Sequence, residues 1–272
     1  MEGMLKRART EAGKIIIEAG MIAKRRFDQF TFIEEKDDFG DVVTEVDHMA
    51  EEVILRGLTK AFPDHAIQSE EAGHNGVESD WIWLVDPLDG TNNFAIGLPV
   101  FSASIALLYK NEPVFAAIYE PMVDRLYISS INEGTTCNGR LVTVMKSDNE
   151  SRFNIGWIQG HAVRNEERAV RLRNYIDVNC KRMMRLWAPT LHWCLLAKGE
   201  IDGIILYNSK GEDLHSGILM VKEAGGIVVD FDGNDFSSES DEPYLVACHP
   251  DHKEYFLKMV STGLEVAGAA AK

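Results

Sequence analysis

The chain has 272 residues, of which 45% are hydrophobic and 26% charged, a composition typical of a folded protein with a substantial core. Its formal net charge is −15 and it has no basic stripe, so we expect no nucleic-acid partner. It has no apolar run long enough to span a membrane, and four scattered cysteines without a signal peptide predict a cytoplasmic protein with no membrane partner.

The first half of the chain predicts two helices followed by antiparallel strands. Apolar residues at helical spacing predict helices over residues 4 to 30 and 47 to 60, separated by a charged loop over 34 to 41. Strands are predicted over 81 to 85, 101 to 109, 114 to 119 and 125 to 130, and the last three form a meander. Asn138-Gly139 predicts a hairpin turn.

The second half alternates between strands and helices. Strands are predicted over 154 to 158, 182 to 186, 201 to 206 and 227 to 231, with helices over 165 to 175, 191 to 197 and 213 to 223. Together the two halves predict an α+β protein in layers. We expect one domain over 1–265, with an α+β lobe over about 1–150 and an α/β lobe over about 151–265, and a flexible tail at 266–272.

The segment Asp86-Pro87-Leu88-Asp89-Gly90-Thr91 is the most informative in the chain. It follows the apolar strand Trp81-Ile82-Trp83-Leu84-Val85, and Pro87 is expected to turn the chain out of the sheet. Two carboxylates three positions apart on a rigid turn are typical of a site for a hard divalent cation such as Mg²⁺. The same residues also suit a purely structural turn, because proline fixes φ and glycine accepts a positive φ.

Further carboxylates could join this site. Glu70-Glu71 follows an apolar stretch, and Asp47 and Asp213 stand at the starts of predicted helices, where a carboxylate is stabilised by unpaired amides. Thr44 to Asp47 and Ser209 to Glu212 also fit capping boxes, so each helix start could be a cap instead of a ligand.

In combination these segments resemble the inositol monophosphatase family of Mg²⁺-dependent, lithium-sensitive sugar phosphatases. The resemblance extends from Lys36 to about Gly226. It is carried by four segments in the family's order: Asp41-Val42-Val43-Thr44-Glu45-Val46-Asp47, Glu70-Glu71, Asp86 to Phe94, and Glu212-Asp213 with Glu223-Ala224-Gly225-Gly226. It implies a layered αβαβα sugar-phosphatase fold, related also to fructose-1,6-bisphosphatase, and a homodimer.

The resemblance also implies roles for individual residues. Glu70, Asp86 and the Leu88 carbonyl would hold one Mg²⁺ and Asp86, Asp89 and Asp213 a second, while Glu70 would help to place a third through water. Asp47 and Thr91 would orient the attacking water. The Gly90 and Thr91 amides would face the phosphate, with Asp89 on the substrate side and Lys36 on a loop over the site.

The sequence departs from the family pattern on the substrate side. Leu206 stands where inositol-selective relatives carry a glutamate that binds sugar hydroxyls, and a leucine accepts no hydrogen bond. Glu212 replaces a tryptophan, and Ala188-Pro189-Thr190 replaces a small-residue turn of the substrate pocket. Arg185 and Lys210 are candidates to contact a second phosphate or another anionic part of the substrate.

Three functions remain open from the sequence. The first is Mg²⁺-dependent hydrolysis of a small phosphorylated metabolite by metal-activated water. The candidate substrates are inositol monophosphate, fructose 1,6-bisphosphate, histidinol phosphate, a nucleotide 3′-phosphate and NADP. The second is a catalytically silent binding protein of the same fold. The third is a non-enzymatic Ca²⁺ or Mg²⁺ protein whose acidic cluster serves stability.

Overall fold

The fold is known from a computed structural model that describes residues 1–29, 33–36, 40–236 and 243–269. Within them the helices are α1 (Glu2–Arg26), α2 (Glu45–Ala61), α3 (Thr91–Ala95), α4 (Glu167–Asn179), α5 (Pro189–Ala197), α6 (Asp213–Glu223) and α7 (Lys253–Ala269). The strands of the first part are β1 (Ile33–Glu35), β2 (Val42–Thr44), β3 (Ala66–Ser69), β4 (Gly73–His74), β5 (Trp81–Asp89), β6 (Ser102–Tyr109), β7 (Glu112–Glu120), β8 (Arg125–Ser130), β9 (Gly134–Cys137) and β10 (Arg140–Val142). They are followed by β11 (Asn154–Gln159), β12 (Arg182–Met184), β13 (Gly203–Tyr207), β14 (Ile227–Asp230) and β15 (Tyr244–Cys248).

The strands form two main sheets. The larger has the order β10-β9-β8-β7-β6-β5-β3-β4, and the smaller has the order β12-β11-β13-β15-β14. β3 runs parallel to β5, and β11 runs parallel to both β12 and β13, whereas the other neighbours are antiparallel. The short strands β1 and β2 pair separately. The chain passes from the larger to the smaller sheet between β10 and β11.

The side chains of β7 show how the layers are built. Phe115, Ala117 and Tyr119 pack with α1 and α2, whereas Ala116 and Ile118 pack with α5 and α6 on the other face, as the period of two along a strand requires. The smaller sheet covers the opposite side of α5 and α6 and packs its outer face against α4 and α7. The resulting order is helix, sheet, helix, sheet, helix, which confirms the predicted α+β fold in αβαβα layers.

Most predicted elements are present, with a few differences. The predicted helix at 213–223, the meander and the Asn138-Gly139 hairpin are confirmed. The predicted loop at 34–41 begins within β1, and its residues 37–39 lie outside the described part of the chain. The prediction lacked β3, β4, β15 and α7, and α7 continues as far as Ala269 into the segment predicted as a tail. None of the described helices combines the length and apolar character needed to cross a membrane.

The predicted end of β5 at Val85 is wrong, because the strand continues through Pro87 to Asp89. Asp86 pairs with Ser104 and Asp89 pairs with Ser102, so three steps along β5 match two along β6. This bulge absorbs the extra residue and accommodates the missing N–H of the proline. In a regular strand, positions three apart face opposite sides of the sheet. The bulge therefore allows both carboxylates to face the same pocket.

Candidate active site

A pocket of about 290 Å³ lies where strands of both sheets reach their carboxyl ends. Glu70 follows β3 and Asp86 lies near the end of its parallel neighbour β5. In the smaller sheet, Gln159 ends β11 and Arg185 follows its parallel neighbour β12. The carboxyl ends of parallel strands in layered α and β proteins commonly carry ligand sites, because the loops that follow them converge there.

Most predicted site residues are brought together in this pocket. Those that line it are Glu70, Asp86, Leu88, Asp89, Gly90, Thr91, Arg185, Lys210 and Asp213. Asp47 lies behind Thr91, and Lys36 contacts Glu70, although neither of them lines the pocket. Leu206 differs from both, because it contacts neither Thr91 nor a predicted metal ligand and packs in the apolar core.

Leu206 does not lie in the pocket. It is 1% exposed and packs in the apolar core between the sheets, because alternate residues of β13 face α5 and α6. The structure therefore gives no support to Leu206 as a substrate contact.

Asp47 and Thr91 form a buried polar pair. The Thr91 hydroxyl lies 2.8 Å from Asp47 Oδ1, and the other oxygen of Asp47 accepts the Thr44 amide at 2.8 Å and the Thr44 hydroxyl. The capping box predicted at the start of α2 is thereby confirmed. Burial raises the pKa of Asp47, whereas the hydrogen bonds from Thr44 and Thr91 act in the opposite direction. Asp47 therefore serves as a helix cap and also presents a carboxylate oxygen to Thr91.

Gly90 is required by the turn between β5 and α3. Its φ of 94° lies in the left-handed region, which favours glycine. A Cβ atom at this position would also lie 2.9 Å from the Val100 carbonyl oxygen and 3.1 Å from Ala188 Cβ. The backbone can therefore pass close to the start of α5 only because residue 90 has no side chain.

Asp89 is held at the first turn of α5. The Thr190 amide donates to Asp89 Oδ2 at 2.9 Å, and the Thr190 hydroxyl donates to the same oxygen. The Ser102 hydroxyl lies at 3.5 Å from it. Burial raises the pKa of Asp89 to about 7, even though the Thr190 hydrogen bonds favour the ionised form. Since Asp89 Oδ2 is turned toward α5, Oδ1 is the oxygen that remains for a ligand.

Asp86 and Asp213 are destabilised when they are charged. Burial raises the pKa of Asp86 well above its usual value, and the charges of Glu70, Asp89 and Asp213 raise it further. The pKa of Asp213 is raised in the same way, first by burial and then by its acidic neighbours.

The capping box predicted at Ser209 to Glu212 is wrong, because no side chain caps α6. Asp213 lies instead with the other pocket carboxylates, which together offer oxygen ligands and a strong negative field.

Lys36 forms ion pairs with two of the acidic residues beside the pocket. Its Nζ lies 2.7 Å from Glu70 Oε1 and also contacts Glu71. Burial alone would lower the pKa of Lys36, but the charges and hydrogen bonds of Glu70 and Glu71 outweigh it and raise the pKa. Across the described residues, no three acidic, histidine or cysteine side chains already form a metal-binding cluster. Lys36 fixes the orientation of the Glu70 carboxylate, and Thr190 fixes that of Asp89.

The sequence-based prediction missed several pocket residues that lie outside the acidic segments. These are Trp157, Gln159, His161, Trp187 and His192. Gln159 follows a strand that was predicted over 154 to 158, and Trp187 follows one that was predicted over 182 to 186. The carboxyl ends of parallel strands were therefore the available signal. It could not be used without the order of the strands in the sheet.

The profile of the inositol monophosphatase family matches residues 5–264. The chain is 35% identical over 223 residues to the fructose-1,6-bisphosphatase/inositol-1-monophosphatase of Aquifex aeolicus, covering 80% of this chain and 83% of the relative. It is 34% identical over 246 residues to the Nus factor SuhB of Pasteurella multocida, covering 90% and 89% of the two chains.

Solved structures agree with these sequence matches. The extragenic suppressor protein suhB of Bartonella henselae has a TM-score of 0.87 at 26% identity, covering 94% of this chain and 99% of the other. The predicted fold and the predicted phosphatase class, a phosphoric monoester hydrolase, are thereby confirmed. The chain belongs to the inositol monophosphatase family.

Proposed function

We propose that this phosphatase hydrolyses a small phosphomonoester with Mg²⁺ as its cofactor and water as the nucleophile. The observation that carries the proposal is that all four carboxylate side chains predicted as metal ligands line one pocket, beside the pair of Asp47 and Thr91. These side chains are Glu70, Asp86, Asp89 and Asp213. No protein nucleophile is needed, because phosphoryl transfer depends mainly on positioning and on neutralising charge.

The pocket fits a hard divalent cation. Its donors are carboxylate and carbonyl oxygens, which Mg²⁺ prefers, and buried carboxylates with raised pKa values gain stability from a nearby cation. We assign Glu70, Asp86 and the Leu88 carbonyl to one ion, and Asp86, Asp89 and Asp213 to a second. Glu70 would also place a third through water. When bound, Mg²⁺ supplies a water of lowered pKa and neutralises charge on the phosphoryl group.

Thr91 is the residue that we propose to orient the water. Its hydroxyl oxygen lies 2.8 Å from Asp47 Oδ1 and also 2.8 Å from the Leu88 carbonyl oxygen. A hydroxyl has one proton to donate, and an ionised carboxylate is the stronger acceptor. With its proton directed to Asp47, the Thr91 oxygen has a lone pair free to accept a hydrogen bond from water. The Leu88 carbonyl then keeps its lone pairs for another partner.

The substrate is anionic, whereas the protein carries a net charge of −15. The phosphate must therefore be attracted locally, and the groups that we assign to this task are the cation, the Gly90 and Thr91 amides, and Lys36. Arg185 and Lys210 line the same pocket and are assigned to a more distant part of the substrate. The candidate substrates are inositol monophosphate, fructose 1,6-bisphosphate, histidinol phosphate, a nucleotide 3′-phosphate and NADP.

Phosphate release from these five compounds tests the proposal, with Mg²⁺, with EDTA and with added Li⁺. We expect turnover that requires Mg²⁺ and that the isosteric variant Asp86→Asn loses while its melting curve stays cooperative. Thermal stabilisation by Mg²⁺ without any phosphate release would instead favour a silent metal-binding protein. A homodimer and a cytoplasmic location are further predictions, and sedimentation velocity checks the first.

A further inference from the structure

Gln159 is a buried polar residue for which the proposed hydrolysis has no use. It is the last residue of β11, it lines the pocket, and it is 7% exposed. A polar side chain at this depth normally has all its hydrogen-bonding groups paired. In Gln159 the amide oxygen is paired, but the amide nitrogen is not.

The orientation of the Gln159 amide is set by two donors. Trp157 Nε1 and Arg173 NH1 each donate to Gln159 Oε1 at 2.7 Å. An indole N–H and a guanidinium can only donate, so the atom that they contact must be the oxygen. The amide nitrogen, Nε2, is then left on the other side. It is buried and has no acceptor among the described residues.

The Arg185 side chain is a second hydrogen-bond donor of the pocket that lacks an acidic partner. The Arg185 guanidinium lies 5.1 Å from the centre of the Trp187 ring, and no described carboxylate forms an ion pair with it. The charge of Arg173 lies close enough to Arg185 to add to burial in lowering its pKa. Two guanidinium groups and one amide donor therefore meet where β11 and β12 end.

The segment that carries Arg185 and Trp187 is held in an unusual conformation. Trp187 has a φ of 54°, a left-handed conformation that is strained for a bulky residue. Asn93 Nδ2 fixes this segment by donating to the Leu186 carbonyl at 2.6 Å and to the Val100 carbonyl at 2.8 Å. Asn93 lies on α3 with Thr91, so its hydrogen bond to Leu186 connects the segment that carries Arg185 to the segment that carries the carboxylates.

We propose that Gln159 is a specificity-determining residue that, together with Arg185, binds a second anionic group of the substrate. Arg173 acts as a positioning residue, because it fixes the Gln159 amide and adds positive charge behind it. A neutral polyol would satisfy the amide but not the two guanidinium groups. The inference rests on the proposed phosphatase function and names the substrate class as phosphomonoesters with a second phosphate or a carboxylate.

Two matched substrate pairs test this inference. Fructose 1,6-bisphosphate is compared with fructose 1-phosphate, and 3-phosphoglycerate with glycerol 3-phosphate, so that each pair differs in one anionic group. We expect the wild-type KM to be about tenfold lower for the doubly anionic member of at least one pair, the effect of one good hydrogen bond to a charged group. Which pair responds identifies the group as phosphate or carboxylate.

The variant Gln159→Glu keeps the size of the side chain and replaces the donor with a negative charge. It should raise the KM for the preferred doubly anionic substrate about tenfold or more, with kcat and the KM for its matched partner within about twofold. Arg173→Met should raise the same KM without changing kcat. Asn174→Asp makes the same change of charge at an exposed position next to Arg173 and should have no effect.

Three results would overturn the inference while leaving phosphatase activity intact. They are equal KM values within both pairs, a preference for the singly anionic members, or a Gln159→Glu effect that is the same on both members of a pair. Absence of Mg²⁺-dependent hydrolysis from folded wild-type protein, with every substrate, would instead overturn the proposed function itself. Melting curves of each variant separate a loss of binding from a loss of folding.

Discussion

Asp89 and Thr190 are 101 positions apart in the chain, yet the Thr190 amide and hydroxyl both donate to the same oxygen of Asp89. The pair joins the bulged end of β5 to the first turn of α5. It thereby connects the larger sheet, which supplies Asp86 and Asp89, to the helices between the sheets. The conformation of a predicted metal ligand is therefore set by a residue outside the acidic segments.

Removing the Thr190 hydroxyl should weaken this arrangement. In Thr190→Val one donor to Asp89 is lost, so the pKa of Asp89 rises above about 7 and less of it is ionised at neutral pH. Since Mg²⁺ must then compete with a proton, we expect the Mg²⁺ concentration for half-maximal activity to rise about tenfold. Titration of activity with Mg²⁺ measures this change. Thr190→Ser keeps the hydroxyl and is the control, and an equal change in both variants would contradict the explanation.

Thr91 should be needed for turnover more than for folding. Thr91→Val removes the hydroxyl that contacts Asp47 but keeps the shape of the side chain, so we expect kcat to fall about 100-fold or more. Thr91→Ser keeps the hydroxyl and should retain most of the activity. Steady-state kinetics and melting curves on both variants check the prediction. Activity of Thr91→Val within a few-fold of the wild type would show that the water is oriented by other groups.

Stability without metal should fall as the pH rises through neutrality. Burial raises the pKa of Asp89 to about 7 from an ordinary value near 3.8. A group with a raised pKa contributes stability that is complete below the unfolded pKa and is lost as the pH rises through the folded pKa. We therefore expect the melting temperature in EDTA to fall between about pH 5 and pH 8, and the stabilisation by Mg²⁺ to grow over the same range.

Asp86→Asn is the control for that experiment. The variant removes one of the mutually repelling carboxylates, so it should be more stable than the wild type in EDTA at pH 8 and should respond weakly to Mg²⁺. Thermal melts in EDTA and in Mg²⁺ on both proteins give the comparison. A wild-type protein whose EDTA melting temperature is constant from pH 5 to 8 would contradict the assigned electrostatics.

The acidic side of the site could be predicted because its residues lie in short segments with fixed spacing. The bulge after Asp86 was missed, since a strand passing through a proline is indistinguishable in sequence from a strand that ends there. Gln159 and Trp187 were missed for a different reason. Their role depends on which strands are neighbours in the smaller sheet and on contacts with Arg173 and Asn93, and these are properties of the tertiary fold.

The prediction of Leu206 as a substrate contact failed to find support for the same reason, because the direction of its side chain depends on the tertiary fold. From its position relative to Asp213 we expected Leu206 to lie next to the substrate, but its side chain faces the core between the sheets. A leucine gains free energy by burial, whereas a glutamate at the same position would be drawn toward a polar pocket. The substrate contacts that we propose therefore come from other residues, among them Gln159 and Arg185.

His192 gives the protein a second, metal-independent response to pH. Its ring is buried on α5, with Nε2 lying 3.2 Å from the Met184 carbonyl, and burial lowers the pKa of His192 to about 4. An unfolded histidine titrates near 6.5. The neutral form is therefore favoured by folding, so this stability is complete above about pH 6.5 and is lost as the pH falls toward 4.

The size of this effect follows from the difference between the two pKa values, which corresponds to about 3 kcal/mol in the free energy of unfolding. His192→Gln retains an N–H that can donate to the Met184 carbonyl but cannot titrate. Urea unfolding of both proteins between pH 4 and 7 isolates the contribution, because the other groups cancel in the difference. We expect the wild type to lose stability relative to the variant as the pH falls. Parallel curves would contradict this, because they require the His192 ring to take up protons equally in the folded and the unfolded protein.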